Sequence, residues 1–347
     1  MKTTIIASFA ALLIAPLAEA QCIGDIAIDA RVDGGDLGVL LANWGPVTST
    51  ALSHACDLDG DAIVNGADLG LLLNGWGACP PSPPWANIIE IQPDPAVVTD
   101  PALRASIVAT RLPWRVSDRG TGIEMLLIPP GTFQMGCIMG SDQWACLESD
   151  QPVHHVNLTR AFYIGRYEVT QAQWTAKMGS NPSYFQEANG FPGSTDRPVD
   201  KFTWNMIQPY LSTVGMRLPT EAEWEYACRA GTQTPFYNGS TDDNTVGALS
   251  WCYQNSGGQT HAVGGKAPNG FGLYDMLGNA MEWVNDWVGN YYADSQTNPT
   301  GPASGYTHVL RGGYFGSVSA NVQSSNRISY SAEVLLAGTG FRVARNP

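Results

Sequence analysis

"LPTEAEWEYACRAG" (Leu218–Gly231) carries a clear helix signal. Thr220 is a ready N-cap, Glu223 closes a capping box three residues later, and Gly231 ends the run. Little around it reads the same way. Upstream, "IEMLLIPPGTFQMGC" (Ile123–Cys137) alternates apolar residues and breaks at Pro-Pro-Gly, a strand and turn signal. "AFYIGRYEVTQAQWTAKM" (Ala161–Met178) passes from strand into helix, with Thr170 as N-cap and Trp174 and Met178 on one face. Downstream come loops rich in Gly, Asn and Trp. Few helices, many short strands and long loops predict an α+β fold.

The chain has 347 residues, enough for more than one domain, and a formal net charge of −13. That balance offers no basic stripe to nucleic acid and no attraction to an anionic membrane surface. The start reads as a secretory leader over residues 1–20: Lys2, an apolar run from Ile5 to Leu17, then Ala18-Glu19-Ala20 as the cleavage site. The apolar run is too short to span a bilayer, and no later one is long enough. A secreted, extracellular protein is expected, not an integral membrane one. Export permits disulfides among Cys22, Cys56, Cys79, Cys137, Cys146, Cys228 and Cys252, and the odd count leaves one thiol unpaired within the chain.

Residues 21–79 hold eight Asp against a single Arg31, more than half of the excess negative charge. "DLDGDAIVNGADLGLLLNGWGAC" (Asp57–Cys79) places Asp57, Asp59, Asp61, Ile63, Asn65 and Asp68 at positions 1, 3, 5, 7, 9 and 12 of a calcium loop. Calcium wants six to eight hard oxygens, and this phase supplies them, with the backbone carbonyl sufficing at Ile63. Gly60 stands at position 4, and Ala62 takes the usual glycine position. A short helix follows, with Leu71 to Leu73 facing inward. "DLGVLLANWG" from Asp36 copies "DLGLLLNGWG" from Asp68. Its loop reads Asp25, Ala27, Asp29, Arg31, Asp33, Asp36; Ala27 removes a ligand, so weaker binding is expected. Cys56 and Cys79 bracket the second repeat as a candidate staple. The paired repeats, with Asp at position 12 and no entering helix, resemble the dockerin module. That resemblance implies calcium-dependent folding, a small all-α loop–helix pair, and a cohesin-like or cell-surface docking partner. Residues 80–118 include a proline-rich run, "CPPSPPWANIIEIQPDPAVVTDP" (Cys79–Pro101), and read as a semi-rigid spacer.

Residues 119–347 form the large domain. "MLLIPPGTFQMG", "FYIGRYEVTQAQW", "RPVDKFTW", "GMRLPTEAEWEYACRAG", "GGQTHAVGGKAPNGFGLYDMLGNAMEWVNDW", "RGGYFGS" and "GTGFRVAR" follow in order. Together they resemble the formylglycine-generating enzyme, or sulfatase-modifying factor, family. The resemblance implies a C-type-lectin-like fold with little regular secondary structure and bound calcium. It implies calcium ligands at Asp275 and Glu282 through side chains and at Gly278 and Ala280 through carbonyls. Two carboxylates with carbonyls between them suit a hard cation.

Active members of that family oxidise a sulfatase cysteine to formylglycine, using O2 and a copper(I) ion on two cysteine thiolates. Soft sulfur selects Cu(I). The matching positions here are Ser317 and Val322, and Ser317 to Asn326 contains no cysteine. Copper and oxidase activity are therefore not expected. The family bridge from Cys228 is absent too, its partner position being Val343. A local Cys137–Cys146 disulfide is favoured over a metal or catalytic pair, and Cys252 reads as a free thiol. His154 and His155 are adjacent and face opposite sides of a strand. Whether Asp196, Asp200, Glu221 and Glu223 converge as a carboxylate pair is not decided by spacing. The reading is a non-oxidase module that binds a protein or glycan ligand and is tethered by its N-terminal repeats. The alternative is an enzyme, either a formylglycine-generating oxidase or another activity in the same groove.

Overall fold

The computed structural model describes residues 24–27, 31–78, 83–137, 146 and 148–347. The leader, Cys22, Asp29 and Cys79 lie outside them.

The N-terminal unit runs β1 (Arg31–Val32), α1 (Gly34–Ala42), β2 (Gly45–Pro46), α2 (Ala51–Cys56), β3 (Ile63–Val64), α3 (Gly66–Asn74) and β4 (Gly77–Ala78). It is not all-α. β1 pairs with β4 and β2 with β3, both antiparallel, so each short strand ties one repeat to the other. The repeat shows in the caps. Asp33 and Asp36 form a capping box on α1, as Asn65 and Asp68 do on α3. Val32, Leu40, Cys56, Leu58, Val64 and Leu72 make a small core. Of the three leucines expected inside, Leu72 is buried, Leu71 half-buried and Leu73 exposed, since the buried face of this short helix runs through Asp68 and Leu72, four residues apart. Cys56 is a free thiol donating to the Val39 carbonyl at 3.8 Å, so the expected staple to Cys79 does not form.

The expected spacer is folded structure over its described part. β5 (Ala86–Glu90) pairs antiparallel with β6 (Arg115–Asp118), and α4 (Pro101–Val108) lies between them, capped by Asp100 with Pro101 at its start. Val98, Ile107 and Trp114 are buried in the main core, while Val108 enters the N-terminal core. Arg104 joins the two units: its guanidinium donates to the carbonyls of Asp59 (2.6 Å) and Gly60 (3.2 Å), and to those of Val98 and Thr99.

The large domain continues through β7 (Glu124–Ile128), β8 (Gly131–Met135), β9 (His154–Leu158), β10 (Phe162–Gly165), α5 (Gln171–Met178), α6 (Trp204–Val214), α7 (Glu221–Arg229) and α8 (Val246–Leu249). It ends in β11 (Met281–Trp287), β12 (Gln296–Thr297), β13 (His308–Arg311), β14 (Arg327–Tyr330), β15 (Thr339–Gly340) and β16 (Ala344–Arg345). Three sheets form, ordered β16-β10-β7-β6-β5, β14-β13-β11-β15 and β12-β9-β8. The mixed helix and sheet architecture is α+β, with long loops between short elements.

Thr220 caps α7 through the expected box, and Thr170 caps α5 as expected, with Gln173 completing a box not foreseen in the sequence. α7 ends at Ala230, which itself takes the left-handed conformation (φ 45°) before Gly231. Trp174 stacks on Tyr210 at 5.0 Å and meets Phe202 edge-on at 4.5 Å, at the centre of the apolar core. β9 alternates, so His154 is buried and His155 exposed. Cys137 and Cys146 are bridged, with Cα atoms 5.6 Å apart. Among the described residues no helix is long and apolar enough to cross a membrane.

Candidate functional site

Three places gather the residues singled out in the sequence. The first is the loop after α2. Asp57, Asp59 and Asp61 each place a carboxylate oxygen within 4.8 Å of the others. Backbone geometry makes this cluster. Asp61 N–H donates to Asp57 Oδ1 and Asp59 Oδ1 (both 3.1 Å), and Ala62 N–H donates to Asp57 Oδ2 (3.0 Å). The chain turns at Gly60 (φ 72°) and Ala62 (φ 68°), and Ala62 bears the steric cost of the left-handed conformation. Burial, then the neighbouring charge of Asp68, raises the Asp59 pKa above its ordinary value. Three crowded hard oxygens with no guanidinium bonded to them fit a calcium ion.

The rest of the expected ligand set is used otherwise. Asp68 is fully buried. Its Oδ1 accepts from Leu58 N–H (2.6 Å) and Asp59 N–H, and its Oδ2 accepts from Asn65 N–H (2.8 Å). Asn65 caps α3 through Oδ1 and donates from Nδ2 to the Ile63 carbonyl (3.0 Å). In the first repeat Asp36 accepts from Ala27 and Asp33 N–H groups and Asp33 caps α1, while Asp25 is buried. No second carboxylate cluster forms among the described residues. Helix capping competes with ion binding for the same oxygens, and there it takes them.

The second place is the strand β11 and the loop before it. Glu282 does not stand open to a cation. Arg342 grips both its oxygens through Nε (2.9 and 2.7 Å), with Nη2 at 2.6 Å from Oε1, and Trp224 Nε1 donates to Oε2 (2.7 Å). It is the buried counter-ion of Arg342, which corrects the expected ligand role. Asp275 sits in the left-handed region (φ 54°) and accepts from Gly264 N–H at 2.6 Å. Its Oδ1 is buried without a partner, and burial pushes its pKa up to about 6. Gly278 and Ala280 flank it, and Ala280 N–H donates to Glu168 (2.8 Å). Glu168 was not singled out in the sequence. It is fully enclosed, and burial, then Asp275 and Glu282, raise its pKa strongly. The orphaned Asp275 oxygen fits a cation here; Glu282 does not.

The third place is the loop after β13. Ser317 Oγ accepts from Tyr314 N–H (3.1 Å), and its carbonyl accepts from Tyr253 N–H (2.9 Å). Val322 is completely buried and abuts Gly313, where an added Cβ would lie 2.8 Å from Val322 Cγ1. Cys252 is buried beside this loop, its thiol donating to Gln254 Oε1 at 3.2 Å. Cys228 is a core residue whose pKa burial pushes up to about 12. A chain of rings borders the loop. Phe185 packs at 5.0 Å on each of Tyr184, Phe191 and Phe315, and Phe315 on Tyr314 at the same distance. Tyr184, Tyr253 and Val318 are exposed at its edge. Trp251 is sandwiched by His261 at 3.8 Å and the Lys266 ammonium at 3.8 Å.

The other acids do not converge. Glu221 pairs with Arg327, Glu223 with Arg217, and Asp200 accepts from Tyr184 and Phe185 N–H groups.

Residues 115–347 match the family model described as sulfatase-modifying factor enzyme 1-like domain. The chain is 31% identical to formylglycine-generating enzyme of Bos taurus over 55% of this chain and 66% of that protein. It is 32% identical to Serine/threonine-protein kinase pkn1 of Chlamydia pneumoniae over 64% of this chain, but only 38% of that protein. Among solved structures it superposes on Treponema denticola variable protein 1 with a TM-score of 0.58 and 29% identity, covering 65% of this chain and 95% of that one.

Proposed function

The chain belongs to the sulfatase-modifying factor enzyme 1-like domain family, and on that premise we propose that it is a secreted, non-oxidase binding module. Its large domain takes a protein or glycan ligand, and its N-terminal repeats tether it. The observation that carries this reading is the loop after β13. A hydroxyl bonded to a backbone amide and a valine sunk in the core occupy the positions of the family's two thiolates. Neither supplies the soft sulfur that Cu(I) requires. What borders that loop instead is an aromatic surface with exposed Tyr184 and Tyr253, of the kind that stacks on sugars or packs on apolar side chains.

Calcium enters this proposal at the acid loop. Asp57, Asp59 and Asp61 would hold the ion, supplying it with hard oxygens and ordering the turn. Asp275 is the candidate ligand in the large domain. The tether reading is supported by a duplicated apolar surface: Leu41 and Trp44 on one repeat match Leu73 and Trp76 on the other, and all four are about half exposed. A docking partner of cohesin-like or cell-surface type would cover them. The second reading, an enzyme, is favoured by one observation, the buried Cys252 thiol beside the Ser317 loop.

The test is a glycan array and a peptide library screened with the intact chain in calcium. Ligands whose retention is lost in Tyr253→Ala and Tyr184→Ala support the proposal. Ligands that bind both variants as well as the parent would place the binding face elsewhere and refute it.

A further inference from the structure

A separate cavity of about 380 Å³ is lined by the N-terminus of α7 and by residues between 286 and 302. Its size is that of a small-molecule pocket. Asp286 lines it and is 3% exposed. Asp286 Oδ2 accepts from Glu221 N–H at 2.9 Å, while Oδ1 has no partner among the described residues. Oδ1 lies on the side of Gly301, another wall residue, where an added Cβ would stand 3.2 Å from it. Gly301 has φ +70° and leaves that approach open.

Charge around Asp286 is otherwise matched. Glu221 holds Arg327 through two hydrogen bonds of 2.8 and 3.0 Å and accepts from Tyr291 Oη at 3.0 Å. Arg327 donates from Nη1 to the Ser149 and Gly289 carbonyls, so four of its five N–H groups are held by the fold. Glu223 is paired with Arg217. His154 also lines the cavity. Its Nδ1 donates to the Pro152 carbonyl at 3.1 Å. The walls include Trp287, Tyr292 and Pro302 beside the polar Asn290, Gln296 and Thr300. A buried acidic oxygen beside aromatic rings suits an ammonium group by hydrogen bonding and cation–π attraction.

We propose that this cavity binds a small organic amine, its ammonium on Asp286 Oδ1 and its apolar body against Trp287 and Tyr292. Burial, then the neighbouring Glu221 charge, pushes the Asp286 pKa up to about 8, so the empty site keeps its proton near neutral pH. Ammonium binding substitutes for that proton and releases it.

The experiment is calorimetric titration of the full chain at pH 7 with phenethylamine, against phenethyl alcohol as the uncharged match, in two buffers of different ionisation heat. The expected result is amine binding with proton release and at least tenfold weaker alcohol binding. Asp286→Asn should lower amine affinity about tenfold. Tyr292→Ala, at an exposed position that folding does not need, should weaken both probes. Equal affinity for amine and alcohol, an unchanged Asp286→Asn, or no amine binding at millimolar concentration would overturn the proposal.

Discussion

In the N-terminal unit Asp57, Asp59 and Asp61 converge with no guanidinium on their oxygens, whereas in the large domain Glu221, Glu225 and Glu282 each meet an arginine. The same functional group is used in two ways. A carboxylate matched from within is part of the fold, and removing its partner strands a charge in low dielectric. A carboxylate crowded against others is balanced only by something from outside. The arginine nearest the acid loop, Arg104, binds carbonyls and leaves the carboxylate oxygens open.

The comparison can be broken by mutation. Arg342→Ala leaves Glu282 buried and unpaired, and the expected loss is about 3–5 kcal/mol, equal with calcium and with chelator. Urea unfolding in both conditions checks it. A loss confined to calcium buffer would return Glu282 to the ligand role. Next in size, the N-terminal unit should gain about 2.7 kcal/mol from calcium at a hundredfold excess over its Kd, and Asp57→Ala with Asp61→Ala should abolish that gain. Circular dichroism melts that do not respond to chelator in the parent chain would remove the ion from the account.

Asp286, like Asp275, is a buried acid of the large domain with no cation bonded to it among the described residues. Its native pKa, about 8, lies above the unfolded value of about 4. The protonated form is therefore the one the fold favours. Its contribution to stability is complete below pH 4 and is lost as pH rises to 8. Asp286→Asn should flatten that decline, by about 2.5 kcal/mol between pH 5 and 7. Parallel pH–stability curves for parent and variant would contradict the assignment. The smallest expected effect belongs to Arg104→Ala, about 1 kcal/mol, through loss of its bonds to the loop carbonyls. It should also weaken calcium binding, and an unchanged calcium affinity would show that the two units are independent there.

Local signals were legible in the sequence. Thr170 and Thr220 cap the helices they announce, and the repeated Asp-Leu-Gly segments form two short helices with matching capping boxes. The proline-rich stretch was misread because composition outweighed local chemistry. Asp100-Pro101 is an N-cap followed by proline at the first helical position, and Ala86–Glu90 alternates like a half-buried strand. Ligand spacing did not reveal that Asp68 and Asn65 would serve as caps, since both roles draw on the same residue types at the same positions. Long-range pairs left no trace in the sequence. Glu282 and Arg342 are 60 residues apart, and Glu221 and Arg327 106 apart. The cavity at Asp286 depends on loops whose approach no periodicity encodes.

The most direct measurement is a Cu(I) titration of the intact chain, with a sulfatase-peptide oxidation assay on the same sample. The account predicts no tight copper binding and no formylglycine product, because Ser317 and Val322 offer no thiolate. Tight copper binding together with formylglycine product would contradict it, and would make Cys252 the thiol to replace next.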